Sequence, residues 1–182
     1  MRFRLPLLAA LGLSIGLVAS AATLVPAKSE LIFNFKQMGV AVDGSFKKFE
    51  AQLDFDPKKP EAGKIAFTVD LGSVSLGDPT YDAELGKPLW FDTKRNGKAT
   101  FVSSAIKPTG AGKYDVAGKL SIKGATRDVV VPITLAGGVA AGSVPIKRLD
   151  FKIGDGEWAD TSVVANDVVV KFKLSFTGIP GQ

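Results

Sequence analysis

The sequence predicts an all-β fold, an eight-stranded antiparallel β-barrel with one short helical segment around residues 78–86. Apolar and polar residues alternate with a period of two in most of the chain, as in strands with one dry and one wet face. The connections are short and rich in Gly, Pro and Asp, which favours antiparallel neighbours. The clearest strand, 168–177, places on one face Val168, Val170, Phe172, Leu174 and Phe176.

Eight strand candidates follow from this alternation. Several run to nine or more residues, and such length favours a closed barrel over a two-sheet sandwich. An eight-stranded barrel is just wide enough to be filled by its own side chains or to hold one small ligand, and the pattern leaves both open. The predicted strands are 29–36, 49–56, 65–71, 98–107, 113–122, 127–136, 147–153 and 168–177.

The single long interruption of the alternation lies between residues 78 and 92. Asp78 suits the cap of a helical turn and Pro79 its first position, while Gly86 and Pro88 would end it. The interruption therefore predicts the one short helix of the fold.

Residues 1–21 are predicted to be a cleaved secretory signal. Arg2 and Arg4 precede an apolar run, 5–18, and the small residues 19–21 follow it. An uncleaved anchor is the alternative, but the run is short for a bilayer span. We therefore expect an exported protein whose mature part, 22–182, is one domain without a transmembrane segment.

Composition excludes several classes of function. The 182 residues contain no Cys and no His, so disulfides, thiol chemistry and catalytic triads built on His are excluded. The net charge of +5 is mild and the basic residues form no stripe, so we expect no nucleic-acid partner. Both a monomer and a homodimer remain open.

Carboxylates are the one remaining route to catalysis or to metal binding. The candidates for an acid–base pair are Asp82, Glu84, Asp92, Asp155, Glu157 and Asp160. They lie in predicted loops, where carboxylates are more often solvated turn residues. The segment 155–160 could be imagined as a cation loop, yet its spacing matches no full calcium-loop pattern. We therefore predict no catalytic residues and no metal site.

Four motifs resemble successive signatures of the YceI family of exported bacterial proteins. They are 44–49 (GSFKKF), 84–92, 100–104 and 118–126 (GKLSIKGAT), the last being the most specific. They occur in the family's order and span the mature chain. The resemblance implies a lipocalin-like barrel in the periplasm whose apolar cavity holds a polyisoprenoid, such as an isoprenoid quinone or prenyl lipid. It implies no covalent chemistry and no cofactor beyond that bound lipid.

The resemblance changes the interpretation of the apolar inward faces. From the pattern alone these faces predict a packed core, whereas the resemblance implies that they line a lipid cavity. Trp90 and Phe91 are expected to flank the entrance, because they follow the helical turn in the one sizeable interruption of the strand pattern. The implied lining residues are Phe33, Phe35, Phe67, Val69, Trp90, Phe91, Phe101, Leu120, Phe151, Val170, Phe172 and Leu174.

The chain departs from the family pattern at two places. The His residues that members often carry are absent, and Met38 and Glu84 occupy the corresponding regions. The usual Tyr-Pro or Phe-Pro is replaced by residues 96–98. Two alternative functions stay open at this point: a small exported enzyme that uses carboxylates, and a stress-related interaction protein with a solid core.

Overall fold

The computed structural model describes residues 21–181. The predicted signal peptide therefore lies outside the described residues, except for Ala21. The strands are β1 (Ala22–Leu24), β2 (Glu30–Gln37), β3 (Val40–Phe46), β4 (Phe49–Asp54), β5 (Lys64–Asp70), β6 (Val74–Ser75), β7 (Lys98–Gly110), β8 (Lys113–Ile122), β9 (Ala125–Ala136), β10 (Val139–Lys147) and β11 (Asp167–Thr177), and the helix is α1 (Pro79–Leu85).

These segments form a closed antiparallel barrel, as predicted. The strands are paired in the order β1-β4-β5-β7-β8-β9-β10-β11, and β1 also pairs with β11, which closes the ring. β2 pairs with the same edge of β11 as β1 does, one after the other along that edge. β2 also pairs with β3. Because β1–β2, β3–β4 and β5–β6 each act as one interrupted strand, the wall has eight strands.

The barrel has two distinct ends. The loop end carries the long connections 71–97 and 148–166 together with the turns at 38–39 and 123–124. The turn end carries the connection 55–63 and the tight turns at 111–112 and 137–138. A buried hydrophobic cluster lies towards each end.

The predicted helix forms as its capping residues indicate. Asp78 lies at the N-cap and its Oδ1 accepts a 2.7 Å hydrogen bond from the Thr80 amide, with Pro79 in the first helical position. Asp82 accepts from the Leu76 amide at 2.6 Å and so ties the helix to the preceding segment.

The strand predicted at 147–153 is wrong. The strand is β10, Val139–Lys147, which pairs with β11 from Val139↔Ser175 to Lys147↔Asp167. Residues Arg148–Phe151 form a 3-10 turn instead. Gly142, Pro145 and several small residues dilute the apolar alternation of β10, whereas its pairing with β11 depends on backbone groups that the pattern does not reveal.

Candidate functional site

The barrel encloses a cavity that runs between its two ends. The cavity volume is about 240 Å³, measured as the space that the centre of a water molecule can occupy. Every lining side chain except that of Arg148 is apolar, and among the described residues no polar atom is exposed on the cavity surface. A site of this kind binds hydrocarbon by removing it from water and offers a polar group no partner.

Three phenylalanine rings lie against the wall because each covers a glycine. A Cβ built on Gly44 would lie 2.2 Å from Cζ of Phe33, its cross-strand partner. The same close approach occurs at Gly142, where the Cβ would lie 2.7 Å from Cζ of Phe172. The third pair is Gly118 and Phe101, at 2.6 Å. Because each ring occupies the place of a missing side chain, it lies along the wall and leaves the lumen open.

The structure places eleven of the twelve predicted lining residues on the cavity wall. All five inward residues of the last strand also line it. The exception is Phe151, which is 2 % exposed and packs in the buried cluster of the loop end, off the cavity wall. It was assigned inward because 147–153 was expected to be a strand, and the 3-10 turn there directs it elsewhere.

Trp90 and Phe91 do not stand at an open mouth. Both are less than a tenth exposed and belong to the buried cluster that closes the loop end. Phe91 meets Phe46 edge to face, with centroids 5.8 Å apart, and Trp90 lies 5.5 Å from Trp158. The two residues therefore close this end of the cavity from inside.

Arg148 organises the loop end and was not identified from the sequence. It is 2 % exposed, and its guanidinium donates to the carbonyl oxygens of Ala165 (3.1 Å), Ile153 (3.0 Å), Trp158 (2.7 Å), Val164 (2.7 Å) and Gly154. No carboxylate within the described part of the chain forms an ion pair with it. Burial lowers the pKa of the Arg148 guanidinium, but an arginine remains cationic in proteins. The charge is thus balanced by backbone dipoles.

Gly154 is required where it stands in this loop. Its φ is +63°, and a Cβ there would lie 2.7 Å from the Trp90 ring and 2.8 Å from a guanidinium nitrogen of Arg148. Its amide donates to the Leu89 carbonyl at 2.8 Å, which joins the connection 148–166 to the segment after α1. The loop end is therefore a packed plug.

The carboxylates considered for catalysis make structural contacts around this plug. Glu84 pairs with Lys87, and Asp92 lies 3.3 Å from the Nε of Arg95. Asp155 lies 3.8 Å from the Nζ of Lys123. Desolvation lowers the pKa of the Lys123 ammonium, while the charges of Asp155 and Asp92 raise it. Each of these three carboxylates thus has a basic side chain as its partner.

Within 21–181 there is no group of three His, Cys, Asp or Glu residues placed to hold a metal ion. In the same range no helix has both the length and the apolar character needed to cross a membrane.

The fold and the site define an antiparallel barrel with an apolar internal cavity. The chain belongs to the YceI-like domain family, whose model matches residues 23–176.

Known relatives share this fold. The structure is similar to that of BcnA from Burkholderia cenocepacia, with a TM-score of 0.79, 47 % identity, and coverage of 83 % of this chain and 98 % of that one. It also resembles a polyisoprenoid binding domain from Saccharophagus degradans implicated in plant cell wall breakdown, with a TM-score of 0.68, coverage of 86 % and 97 %, and 19 % identity, which shows the fold alone. A UPF0312 protein of Ectopseudomonas mendocina is 33 % identical over 94 residues. That match covers 52 % of this chain and about half (49 %) of the relative's length.

Proposed function

We propose that this protein is a periplasmic carrier or reservoir that binds an isoprenoid lipid, an isoprenoid quinone or prenyl lipid, without changing it covalently. The observation that carries the proposal is the internal cavity with a wholly apolar surface. The polyisoprenoid-binding domain with the same fold supports it. An exported location is the expectation that the N-terminal sequence adds.

The volume of the cavity suits part of an isoprenoid tail. One water needs roughly 10–15 Å³ on this scale, so a cavity of about 240 Å³ has room for on the order of twenty methylene-sized groups, or about four isoprene units. Each buried methylene contributes about 0.8 kcal/mol. A tail inside this cavity therefore needs no polar contact to bind tightly.

Affinity should rise with tail length and then level off. We expect each added isoprene unit to strengthen binding of a ubiquinone by roughly tenfold or more up to about four units, and longer tails to add little. Ubiquinones with one, two, four, eight and ten units, titrated and detected by native mass spectrometry, provide the measurement. Affinity that does not depend on tail length would contradict a tail-binding cavity.

Protein isolated from a bacterial periplasm should carry lipid. We expect organic extracts and native mass spectra of the purified protein to contain an isoprenoid lipid. As a matched control, Val170→Asp places a carboxylate on the cavity wall, whereas Lys171→Asp places one on the exposed face of the same strand. Only the first should lose the lipid, because only there does the charge enter the apolar interior. Equal lipid content in the two variants would contradict the proposal.

A further inference from the structure

The barrel wall is interrupted in the middle of its height. Pairing between β1 and β4 ends at Thr23↔Gln52, and pairing between β2 and β3 begins at Ile32↔Ser45. In the described chain, no ladder pairs residues 24–31 with residues 46–51, and the register differs by two residues between the two sides of this gap. We call this interruption the slit.

The residues on each edge of the slit form hydrogen bonds with neighbouring segments on the side away from the slit. On one edge, Ser29 Oγ accepts from the Ser175 amide at 2.9 Å, and Ser175 Oγ donates to the Lys28 carbonyl at 2.8 Å. On the other edge, the Lys47 amide donates to the Ser73 carbonyl at 3.1 Å, and the Lys48 amide donates to Ser73 Oγ at 2.9 Å. The Lys28 carbonyl and the amides of Lys47 and Lys48 thus have partners away from the slit, so the slit does not need to close for these groups to be satisfied.

The slit borders the cavity directly. Leu31 and Phe46 line both the internal cavity and the groove outside the slit. Phe46 is half-buried, and its ring contacts Phe33 and Phe91 with centroid distances of 5.3 and 5.8 Å. The Phe46 side chain therefore lies between the cavity and the groove.

Neither end of the barrel offers a comparable route. The loop end is closed by the plug around Arg148, where Leu71, Phe151 and Val164 are at most 2 % exposed. The turn end is closed by Phe55 and Tyr114, packed edge to face at 5.1 Å, and by Ile179.

The slit also supplies the polar surroundings that the cavity lacks. Glu30, Lys47 and Lys48 are exposed along the groove. A polar head drawn into the cavity would lose its hydrogen bonds to water without replacement. At the slit the head keeps water and charged side chains within reach while its tail lies inside.

We propose that the lipid enters and leaves the barrel sideways through this slit, with Phe46 as the gate and the polar head resting among Glu30, Lys47 and Lys48. This inference rests on the proposed function. It predicts that exchange is limited by opening of the slit, not by unfolding of either end.

Stapling the slit tests the route. The chain has no native cysteine, so Glu30→Cys with Lys47→Cys gives one thiol pair across the groove, with each residue two positions beyond the last β2–β3 pair, Ile32↔Ser45. Dibromobimane and longer bis-maleimides then bridge the pair. The control is Lys119→Cys with Asp128→Cys, an acid and a lysine paired across the intact wall of β8 and β9. The readouts are uptake of ubiquinone-10 from phosphatidylcholine vesicles, followed by native mass spectrometry, and uptake of the apolar dye N-phenyl-1-naphthylamine.

We expect the slit staple to slow uptake and release by about tenfold or more, and the control staple to leave both unchanged. A second variant, Phe46→Ala, should speed exchange several-fold because it removes the gate. Equal rates with and without the slit staple would overturn the proposal. If the dye is slowed by the slit staple but the unstapled protein takes up no quinone, the slit is supported and the proposed function is overturned.

Discussion

Replacing Arg148 by methionine is expected to lower the free energy of unfolding by about 3–5 kcal/mol. Methionine keeps an unbranched stem of similar length but removes every donor. The carbonyl oxygens of Ile153, Trp158, Val164 and Ala165 would lose the guanidinium in a buried setting. Equilibrium unfolding in urea measures the loss, and hydrogen exchange should increase first in residues 148–166.

Arg127→Met is the matched control for this substitution. Arg127 is exposed, and its guanidinium donates to the carbonyl of its neighbour Thr126 at 2.9 Å. Its replacement should change stability by less than about 0.5 kcal/mol. Arg148→Lys should fall between the two, because one ammonium cannot reach all the carbonyls that the planar guanidinium reaches. If Arg148→Met is as mild as the control, the plug does not depend on this residue.

Strands could be predicted from the sequence where apolar and polar residues alternate regularly, and were missed where they do not. Residues 170–177 alternate without a break, and the structure forms β11 there with Val170, Phe172, Leu174 and Phe176 inward. β10 was missed because Gly142 and Pro145 interrupt its alternation, and its pairing with β11 is a long-range property. Because the strand was predicted at 147–153 instead, Phe151 was wrongly assigned to the cavity wall.

The site was less predictable than the fold because its main features depend on pairing across the sheet. The apolar residues could be found by their period, but periodicity could not separate a filled barrel from a hollow one. The difference depends on which residue lies opposite each phenylalanine, as Gly44 lies opposite Phe33. Arg148 gave no signal either, because an arginine that directly follows Lys147 in the sequence indicates a surface charge until the carbonyls around it are known.

The second large effect is expected from a substitution of Gly44, the glycine that the Phe33 ring covers. Gly44→Ala should push the Phe33 ring into the lumen, because the added Cβ would lie 2.2 Å from Cζ and 2.7 Å from both Cε atoms. Over-packing of this kind costs about 1–3 kcal/mol of stability. Because the ring has a cavity to move into, the larger consequence should fall on binding, and we expect affinity for ubiquinone-10 to drop by about tenfold or more.

Two further variants separate lost room from a general disturbance of the sheet. Gly110→Ala adds the same methyl group to another strand, where the nearest atom would be Cδ of Lys113 at 3.7 Å, so it should leave stability and affinity unchanged. Combining Gly44→Ala with Phe33→Leu removes the ring that the new methyl group displaces and should restore binding. Two outcomes would contradict the idea that rings packed on glycines determine the width of the cavity. One is weak binding in the combined variant, and the other is full affinity in Gly44→Ala alone. Restoration would mean that a residue without a side chain, on the strand opposite each ring, keeps this barrel hollow.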